Sequence, residues 1–209
     1  MKKIIIPVLF LITTLILNSC SSESEASVLY GKWQTEIAIS EEVTADILSF
    51  FDFTSEEIEL IDKTGLATVK TVSFGNDGSY EFCYDTEATR ALFSEFFDRC
   101  IRTVHDNLGS LSAVFGGVEY NFDEFADYYA DVYGFDSYEE YREKAASAFV
   151  SDYFDLGDGT IERGSCKVSG GSIIMTEEGE VEPRTLGYTV TDGGELILTY
   201  TNTTETYRR

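Results

Sequence analysis

Residues 160–209 repeat a short theme, and that repetition restricts the fold more than anything else in the chain. Val168-Ser169-Gly170-Gly171-Ser172-Ile173-Ile174-Met175-Thr176 is echoed by Val190-Thr191-Asp192-Gly193-Gly194-Glu195-Leu196-Ile197-Leu198-Thr199. Each copy reads strand, glycine turn, strand, so this stretch is a meander of antiparallel hairpins. A turn near Asn202-Thr203 releases Glu205 to Tyr207 as a last strand. The same period of two begins at Gly31-Lys32-Trp33, where Trp33, Ile37 and Ile39 fall on one face and Lys32, Gln34 and Glu36 on the other. Asn76-Asp77-Gly78 is a hairpin turn between a strand ending in Val72 and Phe74 and a returning one with Tyr80, Phe82 and Tyr84 alternating. Strand starts near Tyr30, Leu66, Ser79, Thr160, Ser172, Arg184, Glu195 and Thr204 make eight. At that number a closed barrel has an interior just filled by side chains, or able to hold one small ligand.

Helical periodicity interrupts the strands twice. Ser40-Glu41-Glu42 caps a helix with Val43, Ile47, Leu48 and Phe51 on one face, and Thr54-Ser55-Glu56-Glu57 is a capping box for a second, ended by Gly65. From Asp85 the period stays helical for about seventy residues. Phe93, Phe97, Cys100, Ile101, Val104 and Leu108 form one apolar face. Asn121 caps a helix with Phe122, Phe125, Tyr129 and Val132, which stops at Gly134. Ser137-Tyr138-Glu139-Glu140 is a further capping box, ahead of Tyr141, Ala145, Ala148 and Phe149. The fold class is therefore mainly β with α insertions: an eight-stranded antiparallel barrel over residues 29–209, with helices inserted at about 41–64 and 86–156. Apolar faces this wide do not stay bare, and docking on the barrel is the expected way to cover them.

The chain opens on Lys2 and Lys3, an apolar run from Ile4 to Leu17, and Leu17-Asn18-Ser19-Cys20. This ending resembles the lipobox of bacterial lipoproteins. The resemblance implies that residues 1–19 are a signal peptide, that Cys20 carries the lipid, and that residues 20–28, rich in Ser and Glu, are a flexible tether. The apolar run is shorter than the ~20 residues that span a bilayer. Removing residues 1–19 deletes two lysines and no acids, which takes the formal net charge from −23 to −25. Such acidity repels nucleic acid and anionic headgroups, keeps an exported chain soluble and attracts cations or basic partners. With Cys20 assigned to lipid, Cys83, Cys100 and Cys166 remain. Three thiols allow one disulfide and one free thiol, or three small buried hydrophobes, and their spacing matches no zinc pattern.

The Gly-x-Trp entry at Gly31 and Trp33, the Asn76-Asp77-Gly78 hairpin, the glycine-turn meander and the Tyr207-Arg208 ending together resemble the lipocalin-like (calycin) lipoproteins of bacteria. The resemblance covers roughly residues 28–39, 66–84 and 159–208. It implies that Trp33 packs at the closed end of the barrel with Arg208 lying across it, a cation–π contact of about 0.5–2 kcal/mol. It also implies a small apolar or amphipathic ligand in the barrel or beneath the helices.

Residues able to do chemistry are few. The single histidine, His105, reads as a solvated residue near a helix C-terminus. No nucleophile elbow, phosphate loop or metalloprotease motif occurs. Asp123, Asp127 and Asp131 form an acidic stripe that reads as the wet side of a helix, and Asp155 with Asp158 as a plain turn, so no metal and no cofactor are expected. Tyr128, Tyr129, Tyr133, Tyr138 and Tyr141 crowd one section and are the candidate surface for a ligand or partner. The expectation is a non-enzymatic extracytoplasmic lipoprotein of the cell or outer membrane, held through Cys20, which binds a small ligand but no nucleic acid. The alternative is a filled barrel serving as an interaction or structural module of the envelope.

Overall fold

The computed structural model describes residues 26–108 and 120–209. The signal segment 1–19, Cys20 and the first part of the tether lie outside the described residues. Eight strands are present: β1 (Gly31–Ala38), β2 (Ala67–Phe74), β3 (Ser79–Tyr84), β4 (Thr160–Ser169), β5 (Ser172–Glu177), β6 (Arg184–Val190), β7 (Glu195–Thr199) and β8 (Thr204–Arg208). They close in sequence order into an antiparallel barrel, with Gln34 opposite Arg208 where β1 meets β8. The meander pairs as its glycine turns require: Ser169 faces Ser172 across Gly170-Gly171, and Val190 faces Leu196 across the second turn.

The helices are α1 (Glu41–Phe50), α2 (Ser55–Leu60), α3 (Thr86–Leu108), α4 (Phe122–Val132) and α5 (Tyr138–Ala148), the last continuing into a π-helical turn, Phe149–Tyr153. Their starts follow the capping chemistry of the sequence. Ser40 accepts from the Val43 amide, and Thr54 and Asn121 make reciprocal capping boxes with Glu57 and Glu124. Ser137 is only half a box. It accepts from the Glu140 amide, but the Glu140 carboxylate reaches back to the Asp136 amide instead.

The described residues divide into two units, one holding 26–35, 70–83 and 160–209, the other 36–69, 84–108 and 120–159. Each has its own apolar core. In the helical unit Phe93, Phe97, Ile101, Phe125 and Phe149 are all at most 1% exposed, and Phe93 stacks on Phe149 with ring centroids 4.2 Å apart. The wide faces of α3, α4 and α5 thus cover one another, where docking on the barrel was the expectation. A helix bundle of this size hides its stripes by mutual packing.

Residues 26–28, expected as the last part of the tether, form a helical turn instead: the Leu29 amide bonds to the Ala26 carbonyl, and Leu29 is fully buried in the barrel core. Ile37, expected on the inner face, is exposed at the end of β1, beyond the Gln34 pairing.

Candidate functional site

Alternation along each strand fixes what the barrel encloses. Trp33, Val72, Phe74, Tyr80, Phe82, Ile173, Met175, Leu186, Leu196, Leu198 and Tyr207 point inward and form one buried cluster with Leu29. Five of its twelve members are aromatic, and Tyr80 meets Phe82 edge to face at 6.0 Å. Side chains therefore fill the interior.

Charged residues share this inward register toward the end opposite Trp33. Lys70 stands two residues from Val72, and its Nζ donates to both oxygens of Glu205 at 3.0 and 2.9 Å. The same ammonium lies 5.3 Å from the Phe82 ring centre and 6.0 Å from that of Tyr200. The hydroxyls of Tyr200 and Tyr207 both donate to Glu205. Across the barrel Arg184 and the Tyr80 hydroxyl donate to Glu162, whose side chain is only 11% exposed. The result is a charge-balanced belt of two ion pairs, each braced by its own tyrosines.

The belt is electrically fixed. Burial, then the hydrogen bond to Glu205, pushes the Tyr207 phenol far above its ordinary value, and burial followed by Glu162 does the same to Tyr80. Burial alone would raise the Glu205 carboxyl, but hydrogen bonds from Tyr207 and Lys70 outweigh it and hold the group below its ordinary value. The phenols stay neutral donors and Glu205 stays an anion near neutrality. Such groups pin strands together; they are not poised to move protons. Patterning hid this belt because Lys70, Glu162, Arg184 and Glu205 look like ordinary surface residues. Their parity with Val72, Cys166, Leu186 and Tyr207 was the available signal.

At the closed end, Trp33 is buried and donates from Nε1 to the Leu29 carbonyl at 2.8 Å. Gly31 reaches φ +115°, a conformation side chains resist, and so turns the chain into β1. The arginine across the indole is Arg209, 4.2 Å from the ring centre and bonded to the Val28 and Tyr30 carbonyls. Arg208, the residue expected there, points outward to Glu195. The reason is strand parity. Tyr207 faces in, so Arg208 faces out and Arg209 faces in again.

Outside the barrel wall, short side chains leave a groove of about 810 Å³. Ser73, Ser79, Ser165 and Thr176 line it, and the Arg163–Glu178 pair (2.7 Å) stands at one side. Gly164 lies in its wall, where a Cβ would come 2.1 Å from the Thr176 carbonyl oxygen of the neighbouring β5.

The tyrosine section does not form one surface. Tyr129 and Tyr141 are buried, Tyr133 stacks on Tyr141 at 5.3 Å, and Tyr138 bonds to Asp98. Tyr128 alone is exposed, at 40%, and it stacks on Tyr120. Helical spacing put all five close together in sequence, but α4 and α5 turn four of them toward their shared core. His105 also departs from its expected solvated state. It bridges the Asp106 carboxylate and the Tyr120 carbonyl and packs against the Phe125 ring. Asp123, Asp127 and Asp131 are exposed, and among the described residues no group of three or more His, Cys, Asp or Glu is placed to hold a metal. Cys83, Cys100 and Cys166 are free thiols, and burial pushes Cys100 up to about 12. No helix among the described residues is long and apolar enough to cross a membrane.

A closed eight-stranded antiparallel barrel with helical insertions is a lipocalin-like architecture. Comparison with protein families, with characterised proteins and with solved structures finds no match for this chain.

Proposed function

We propose that this chain is a membrane-anchored, extracytoplasmic lipoprotein whose barrel is a filled scaffold, and that it acts as a non-enzymatic interaction module of the cell envelope. The observation that carries the scaffold half is the occupied interior: aromatic and aliphatic side chains fill it, and Lys70–Glu205 and Glu162–Arg184 cross-link its walls. A ligand entering the lumen would have to displace packed core side chains, which costs several kcal/mol, and part the half-buried ion pairs at the end opposite Trp33. The Leu17 to Cys20 lipobox carries the anchored half.

Native mass spectrometry of protein released from its own membrane in mild detergent tests the scaffold. The expected species is the lipidated chain without a passenger. A small molecule that co-purifies at one per chain, and whose removal changes the fluorescence of Trp33, would overturn the filled-barrel reading.

A second reading keeps a small ligand but moves it to the outer groove. Its volume suits one, and its serine and threonine hydroxyls offer hydrogen bonds to the polar part of an amphipathic molecule.

A further inference from the structure

Composition alone gives the whole chain an acidic surface, yet the charge is unevenly spread. The helical unit, residues 36–69 and 84–159, contains 26 acidic and 6 basic residues, a net of −20; the barrel unit from residue 26 on has 10 and 7, a net of −3. Along the barrel axis the signs separate again. Antiparallel order places the start of β1, the ends of β4 and β8 and the 75–78 turn at the Trp33 end. There stand Lys32, Lys167, Arg208 and Arg209, against Asp77, Asp192 and Glu195. The β5–β6 connection at the other end carries Glu178, Glu180 and Glu182, all exposed.

Exposed apolar side chains occur at both ends: Val181, 90% exposed, stands among the glutamates of the β5–β6 connection, whereas at the basic end they adjoin cations. Val28 is 43% and Tyr30 37% exposed, side by side with the carbonyls that Arg209 holds. This is also the end the chain enters from. Six residues, 20–25, precede Ala26, and a chain of that length spans at most roughly 20 Å.

We infer that the closed end of the barrel seats on the lipid surface, with Val28 and Tyr30 at the headgroup boundary and Lys32, Lys167 and Arg208 facing anionic headgroups. This rests on the anchored reading above. A lipid at Cys20 brings this end within reach of the bilayer by covalent length alone. An aromatic beside a short apolar residue suits the interface, and each basic residue near an anionic surface adds attraction that fades within about 8 Å at physiological salt. The acidic β5–β6 connection makes the opposite end the wrong one to face such a surface.

The full chain, processed by its host and reconstituted into vesicles, tests this by backbone hydrogen exchange. With phosphatidylglycerol present, amides at 28–31, 75–78 and 169–171 should exchange at least about threefold more slowly than on phosphatidylcholine alone, with 178–183 unchanged. The Lys32→Glu, Lys167→Glu double variant should lose that protection while keeping its circular dichroism. Equal exchange at both ends, with Cys20 acylated by intact mass, overturns the seating alone. An unmodified Cys20 overturns the anchored reading and the seating with it.

Discussion

At the scale of single residues the closed end separates two neighbouring arginines. Arg209 is stacked on a buried indole and bonded to two carbonyls, so Arg209→Ala should cost about 1–2 kcal/mol in denaturant unfolding. Arg208 makes one exposed ion pair, and Arg208→Ala should stay within about 0.5 kcal/mol. Equal losses would mean that the indole contact contributes nothing. The Tyr207-Arg208 ending pointed to the correct strand and indole, but only the inward register of Tyr207 decides which arginine turns in. Glu205 gives the pH dependence. Its carboxyl is held below its ordinary value near 4.5, so its contribution to stability is complete above that value and is lost as pH falls through the lower, folded one. Comparing the wild type with Glu205→Gln by chemical unfolding from pH 7 down to pH 3 should show the wild type's advantage shrinking below about pH 4.5. A constant difference would mean that the carboxylate is not preferentially ionised in the folded state.

At the scale of elements, the strands and helices were legible wherever local chemistry specified them. Glycine turns set the meander, and side-chain caps at Ser40, Thr54 and Asn121 set three helix starts. The π-helical turn after Ala148 was not legible, because Phe149 and Val150 continue an apolar helical pattern whatever the hydrogen-bond spacing. The ionic belt was not legible either, since a polar residue at an inward position has the same local signal as one on the surface. Gly164 shows a similar blindness. Its backbone torsions are ordinary, and its need for glycine comes wholly from β5 lying against it. Gly164→Ala should lower stability by about 1–3 kcal/mol, read as a lower urea midpoint, as β4 and β5 are pushed apart. An unchanged midpoint would mean that the two strands separate at no cost.

At the scale of the molecule, hydrophobic patterning predicted wide helix faces but could not say what covers them, because mutual packing and docking on a sheet need the same stripe. The charge ledger adds a bulk property. A helical unit of net −20 repels itself, so raising salt from about 0.02 M to about 0.5 M should raise the thermal midpoint. A falling midpoint would give the ion pairs of the barrel the larger part. The Arg209 contact to Val28 also sets an order in time. It joins positions 181 apart in sequence, whereas the consecutive strands from β4 to β8 pair as local hairpins. Closing a long loop is entropically dear, so local hairpins assemble ahead of it. The barrel should fold as an open five-stranded ribbon that recruits its first strand last. Arg209→Ala should then speed unfolding and leave the refolding rate as it was, with Trp33 fluorescence as the reporter in stopped flow.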